Sequence, residues 1–144
     1  MLSMGIIAGL LIWSIEDIKS HLVDMRKVAM FAIAGLLLQI ILKEEGLMSL
    51  VMGILVGGFV YLVSLVSREK IGKGDAFIVM TMGIYMGFSD LIKSLWLASI
   101  LAAAGGLLII ALKKKNLRYE MPFVPFLLGG YLIVYSCSLF GGVL

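Results

Sequence analysis

Two short acidic signatures stand 58 positions apart in this 144-residue chain. One is Glu16-Asp17-Ile18-Lys19, at the end of the first apolar run; the other is Gly72-Lys73-Gly74-Asp75, at the start of a later one. An ionisable side chain beside the hydrocarbon of a bilayer is costly and marks function by default. Two carboxyl groups that share one water can hydrolyse a peptide bond. The ionised one draws a proton from water while the protonated one polarises the scissile carbonyl. Carboxyls a few ångströms apart cannot both ionise, so such a pair shares a proton and titrates as a unit. The chemistry expected of Asp17 and Asp75 is that of a membrane-boundary aspartyl peptidase. Gly72 and Gly74 fit this reading, because backbone without a side chain leaves room for an extended substrate. The same tetrapeptide also reads as an ordinary turn entering a helix, with Asp75 as its N-cap.

The rest of the chain must hold these groups in a membrane. Hydrophobic residues make up 62% and mean hydropathy is +1.13, well above a soluble domain. The expected fold is all-α, a polytopic membrane protein with a bundle of six transmembrane helices in a single domain spanning residues 1–144. Cys137 is the single cysteine and His21 the single histidine. No internal disulfide and no cysteine-rich metal site follow from that composition, and no cofactor is expected. The pI near 9.1 is accounted for by topology rather than by nucleic acid.

Six apolar runs occupy residues 2–15, 28–42, 47–66, 76–88, 91–112 and 121–144. Residues 1–15 lack a basic leader and a small-residue cleavage site, so they read as a helix that is retained. Ten of the twelve Lys and Arg residues fall in the first, third and fifth joints. By the positive-inside rule those joints face the cytoplasm and both termini lie outside. Asp17 and Asp75 then share the cytoplasmic side of a cell membrane. About 20 apolar residues are needed to cross a ~30 Å core, and the two runs bearing the aspartates are shorter. Each helix is expected to take its aspartate into the boundary. Trp13, Tyr119 and Trp96 read as interfacial anchors.

Three segments together carry a family resemblance: Asp17-Ile18-Lys19-Ser20-His21-Leu22-Val23, Gly72-Lys73-Gly74-Asp75, and Met121-Pro122-Phe123-Val124-Pro125-Phe126-Leu127. In order and placement they resemble the type IV prepilin peptidases, members of the GxGD membrane aspartyl proteases. The resemblance implies Asp17 and Asp75 as the catalytic pair, with Gly72, Gly74, Pro122, Phe123 and Pro125 shaping the substrate site. It implies prepilin-like or pseudopilin-like membrane proteins as substrates, cut at the cytoplasmic face just before their hydrophobic helix. Two departures stand out. Asp24-Met25 stands where the family often shows Pro-Asn, and Val124 stands where a small residue is usual. The chain resembles the short form, without the cysteine-bearing N-terminal region of bifunctional members, and no methyltransferase activity is expected.

Other readings attach to the same residues. A small proton-coupled transporter or a non-enzymatic membrane assembly subunit are the alternatives, although a relay would want acids at mid-membrane depth. Pro122 reads as a helix initiator, whereas Pro125 is balanced between that role and a rigid wall beside the aspartates. Glu16, Asp24, Glu69 and Glu120 read as solvated charges, or else as an acidic rim attracting a basic peptide.

Overall fold

The computed structural model describes residues 2–20, 23–43, 45–66, 72–113 and 122–141. Five helices follow in order: α1 (Leu2–Ser20), α2 (Met25–Leu42), α3 (Leu47–Val66), α4 (Lys73–Lys113) and α5 (Val124–Leu139). The all-α expectation holds for the described residues. No loop separates the runs at 76–88 and 91–112: they are joined in one 41-residue element, α4, that is interrupted by non-helical backbone. The joint expected near Ser89 and Asp90 is itself helical. Short polar residues are acceptable in a first turn. The break falls earlier, at Gly87, whose φ of 71° and ψ of −176° leave the helical region.

That break folds the chain back. Ser94 Oγ approaches Met86 Sδ at 3.9 Å, whereas eight residues of straight helix rise ~12 Å. An interruption inside an apolar element must leave no backbone group without a partner. In an unbroken helix the Phe88 N–H would donate to the Ile84 carbonyl. Here Phe88 N donates to Ser49 Oγ at 3.0 Å, and the Ile84 oxygen accepts from Gln39 Nε2 at 3.1 Å. Ser49 Oγ in turn donates to Glu45 Oε2 at 2.9 Å. The end of α2 and the start of α3 thus supply side chains that replace the lost helical bond.

The first arm of α4 is the centre of the molecule. Ala76, Ile78, Val79, Met82, Tyr85 and Met86 are buried along it. From α1, Leu2, Ile6, Leu10 and Trp13 join the same core at three- and four-residue spacing, one stripe of a helix. Trp13 is therefore a core residue, 2% exposed, and not the interfacial anchor expected. Its ring meets Phe31 edge-on at 5.3 Å. Trp96 does face outward, and Tyr119 lies outside the described residues.

Helix α3 packs on α4 alone, through glycine. A Cβ at Gly53 would stand 2.7 Å from the Gly83 oxygen, and one at Gly83 would stand 2.5 Å from the Gly53 oxygen. Backbone meets backbone there, the close approach that small residues permit between membrane helices. Gly53 opposite Gly83 and Gly57 opposite Met80 make the two helices antiparallel.

Outward faces are apolar. Met30, Ile41 and Val66 are each more than two thirds exposed, the surface of a protein solvated by lipid rather than water. Among the described residues, three helices are long and apolar enough to cross a membrane: α2, α3 and α4. Glu16, Asp17 and Lys19 make α1 too charged to count with them, and α5 is shorter.

The glycine contact gives a direct test. Gly83→Leu is expected to destabilise the protein by about 1–3 kcal/mol through overpacking. Gly58→Leu, where nothing lies within 4 Å, is expected to change little. Thermal unfolding in detergent measures both.

Candidate active site

Asp17 sits in the last turn of α1, following Leu10, Trp13 and Ser14 on the buried stripe, and is only 7% exposed. A carboxylate brought there by helical periodicity needs donors. One comes from 107 residues away: Val124 N donates to Asp17 Oδ2 at 3.1 Å. The reason lies in how α5 begins. Its N-cap position is Phe123, which supplies no side-chain cap, so the first amides of the helix need outside acceptors. Pro125 stands in the first turn, where its missing N–H costs nothing. Pro125, then, is the proline of helix initiation. Pro122 lies outside the helix, before the cap residue, and is not the helix initiator expected. Phe123 contributes its carbonyl, accepting from Phe126 N at 3.0 Å and Leu127 N at 3.2 Å, while its ring packs against the core.

Asp75 sits in the first turn of α4. The Gly72 carbonyl accepts from Asp75 N at 3.1 Å and Ala76 N at 3.5 Å. Gly72, not Asp75, is therefore at the cap position, and the N-cap reading of the aspartate is set aside. Three positions into a helix a carboxylate benefits from the helix dipole. Gly72 borders the acid: a Cβ there would lie 3.4 Å from Asp75 Oδ2. Gly74 faces the other way, and a Cβ on it would stand 3.7 Å from Val23 Cβ.

The two carboxyls, from α1 and α4, are close enough for the charge of Asp17 to act on Asp75. The structure thus gathers Asp17, Asp75, Gly72 and the start of α5 at one end of the bundle. Gly87, Glu45 and Ser49 occupy the other. Asp75 is half-buried and Asp17 buried. Neither aspartate lines the groove between the end of α2 and the start of α3 or the groove between α1 and α2. Among the described residues, no three His, Cys, Asp or Glu side chains gather in a way that could hold a metal ion.

Neighbouring charges take structural positions that the sequence reading missed. Glu16 forms an ion pair with Lys27. Asp24 is the N-cap of α2, its Oδ1 accepting from Arg26 N at 3.0 Å. Neither is a simple solvated charge. His21, Glu69 and Glu120 fall outside the described residues. The Val124 amide was not legible at all, since a backbone donor has no side-chain signature. The Glu16–Lys27 pairing has a faint one, because each residue continues a stripe of its own helix.

An all-helical bundle with apolar outer faces and two carboxyls at the same end defines a membrane protein with a candidate acid–base site. The chain belongs to the type IV leader peptidase family, whose profile it matches over residues 4–110. That match includes both aspartates and stops short of the Pro122–Phe126 segment. No curated protein and no solved structure matches the chain.

The structural role of Asp17 is tested by substitution. Asp17→Asn keeps an acceptor oxygen for the Val124 amide, whereas Asp17→Ala leaves a buried donor without one. Asp17→Ala is expected to be less stable than Asp17→Asn by about 1–3 kcal/mol. Denaturant or thermal unfolding of the two variants, measured side by side, checks this.

Proposed function

We propose that the protein is an aspartic-type membrane endopeptidase that removes the leader of type IV prepilin-like or pseudopilin-like precursors. Asp17 and Asp75 activate the water. One carboxylate takes a proton from water as its oxygen attacks the scissile carbonyl, and the protonated partner gives its proton to the carbonyl oxygen. Collapse of the tetrahedral intermediate breaks the C–N bond, and the proton passes to the departing amine. The observation that supports this reading is the placement of Asp17 and Asp75 at one end of the bundle, near enough for the charge of one to act on the other, within the span matched by a peptidase family.

The same proposal sets the topology. Counted as two arms across Gly87, α4 brings the helical segments to six, with the aspartate end in the cytoplasm and both termini outside. Gly72 leaves backbone open beside Asp75, Gly74 keeps the approach to α4 slim on the side of Val23, and Phe123, Pro122 and Pro125 stiffen the wall beside Asp17. The bilayer and the precursor are the partners; no nucleic acid and no cofactor take part.

Two experiments test these statements. Purified protein reconstituted in lipid should cleave a prepilin-like substrate, and Asp17→Asn or Asp75→Asn should each lower kcat by about 10²–10⁴-fold. Unchanged cleavage in either variant contradicts the dyad. For topology, an impermeant thiol reagent applied to intact cells in a Cys137→Ser background should label Gly46→Cys. Lys19→Cys should react only after permeabilisation; the opposite pattern reverses the orientation.

A further inference from the structure

Helices α1 and α2 run side by side yet touch little. Between them lies an apolar groove of about 390 Å³. Its walls are two helical stripes: Gly9, Ile12 and Trp13 on α1, and Met30, Phe31 and Ala34 on α2. Spacing of three and four residues puts Glu16 next on the first stripe and Lys27 next on the second. The Trp13–Phe31 ring contact fixes the antiparallel register, and the Glu16–Lys27 ion pair then closes the groove at its charged end. The groove therefore ends at an ion pair whose acid, Glu16, is the chain neighbour of Asp17 but faces α2 rather than α5.

The two partners of this ion pair are unequal. The Glu16 side chain is 23% exposed and that of Lys27 is 54% exposed. The carboxylate is the fixed, partly sheltered member, and the ammonium is the displaceable one on a flexible stem. A site that holds one ammonium beside an apolar channel has the chemistry to hold another. Its match is a chain bearing a basic side chain at the head of an apolar helix, with the helix in the groove and the cation on Glu16.

We propose that Glu16 is a specificity-determining residue that binds a basic side chain of the substrate, and that Lys27 occupies this position until the substrate displaces it. The groove between α1 and α2 then seats the apolar segment that follows. This rests on the peptidase reading for its biological meaning, but the binding claim stands apart from cleavage and is tested apart from it. Lys27 is a resident competitor: it protects Glu16 when no substrate is present and weakens the hold on weakly basic peptides.

The test is binding of a synthetic peptide, one Lys followed by an apolar helix of about 20 residues, to the whole protein in nanodiscs. A second peptide carries Gln in place of the Lys, and the Kd ratio of the two is the readout. The ratio should favour the Lys peptide in the wild type by about threefold, the size of a partly exposed ion pair. Glu16→Gln should abolish the preference. Lys27→Gln should enlarge it by about threefold more, a gain that a merely structural ion pair would not give. Ala34→Trp, filling the groove at an exposed position, should weaken both peptides equally. An unchanged ratio across wild type, Glu16→Gln and Lys27→Gln overturns the assignment of Glu16. Binding insensitive to Ala34→Trp overturns the seat and leaves the groove to lipid. Cleavage of the Lys peptide, followed in the same samples, reports separately on the peptidase reading: its absence alongside the predicted ratios would count against that reading alone.

Discussion

The Val124 amide and Asp17 Oδ2, 3.1 Å apart, join the last turn of one helix to the first turn of another from the far end of the chain. Each side supplies what the other lacks. A helix that begins at a residue with no capping side chain needs an acceptor, and a buried carboxylate needs a donor. The bond holds α1 and α5 together at the level where Asp75 enters from α4. The carboxyl proposed to do chemistry is thereby held in position by the same contact that completes a helix. In a bilayer such economy has a physical basis, since unsatisfied backbone is costly there and water is scarce.

The position of Asp75 depends on a different constraint. The first arm of α4 carries it, and that arm is fixed by glycine contact with α3 and by the break at Gly87. The break would be expensive in lipid if the Phe88 amide and Ile84 carbonyl were left open. Ser49 and Gln39 take those two groups, so the fold-back of α4 is tied to the α2–α3 end of the bundle. One end of the molecule is thus a capped hairpin that orients α4. The other is where two acids and the start of α5 converge. Between them an apolar groove runs along α1 and α2 as far as Lys27, the partner of Glu16.

Much of this was legible in the sequence. Apolar runs with charged joints gave the helices, because in lipid length and hydropathy leave few alternatives. Asp17 and Asp75 stood out because acids are rare in such a chain. The break at Gly87 was not legible: Gly83 and Gly87 share the spacing of a packing motif, and only φ separates their roles. The polar pair Ser89 and Asp90 looked like the joint but is compatible with a helical first turn. Trp13 looked like an interfacial anchor because it lies near a charged end, yet its phase places it with Leu10 on the inward stripe. Pro125, and not Pro122, initiates α5 because helix initiation turns on a shift of a few residues, finer than proline spacing reveals. The Glu16–Lys27 pair left only a faint trace, each residue continuing a stripe of its own helix, and pairing them required knowing that α1 and α2 are neighbours.

The central claim is that Asp17 and Asp75 act as one unit on a tetrahedral centre. The most direct measurement is the affinity of a substrate-like peptide whose scissile bond is replaced by a hydroxyethylene group, a stable mimic of that centre. Titrated against wild type, Asp17→Asn and Asp75→Asn in the same lipid, it should bind the wild type at least 10²-fold more tightly than the unmodified peptide. Either substitution should remove most of that advantage. Equal affinity for the mimic in wild type and both variants would mean that the two carboxyls do not form a catalytic pair.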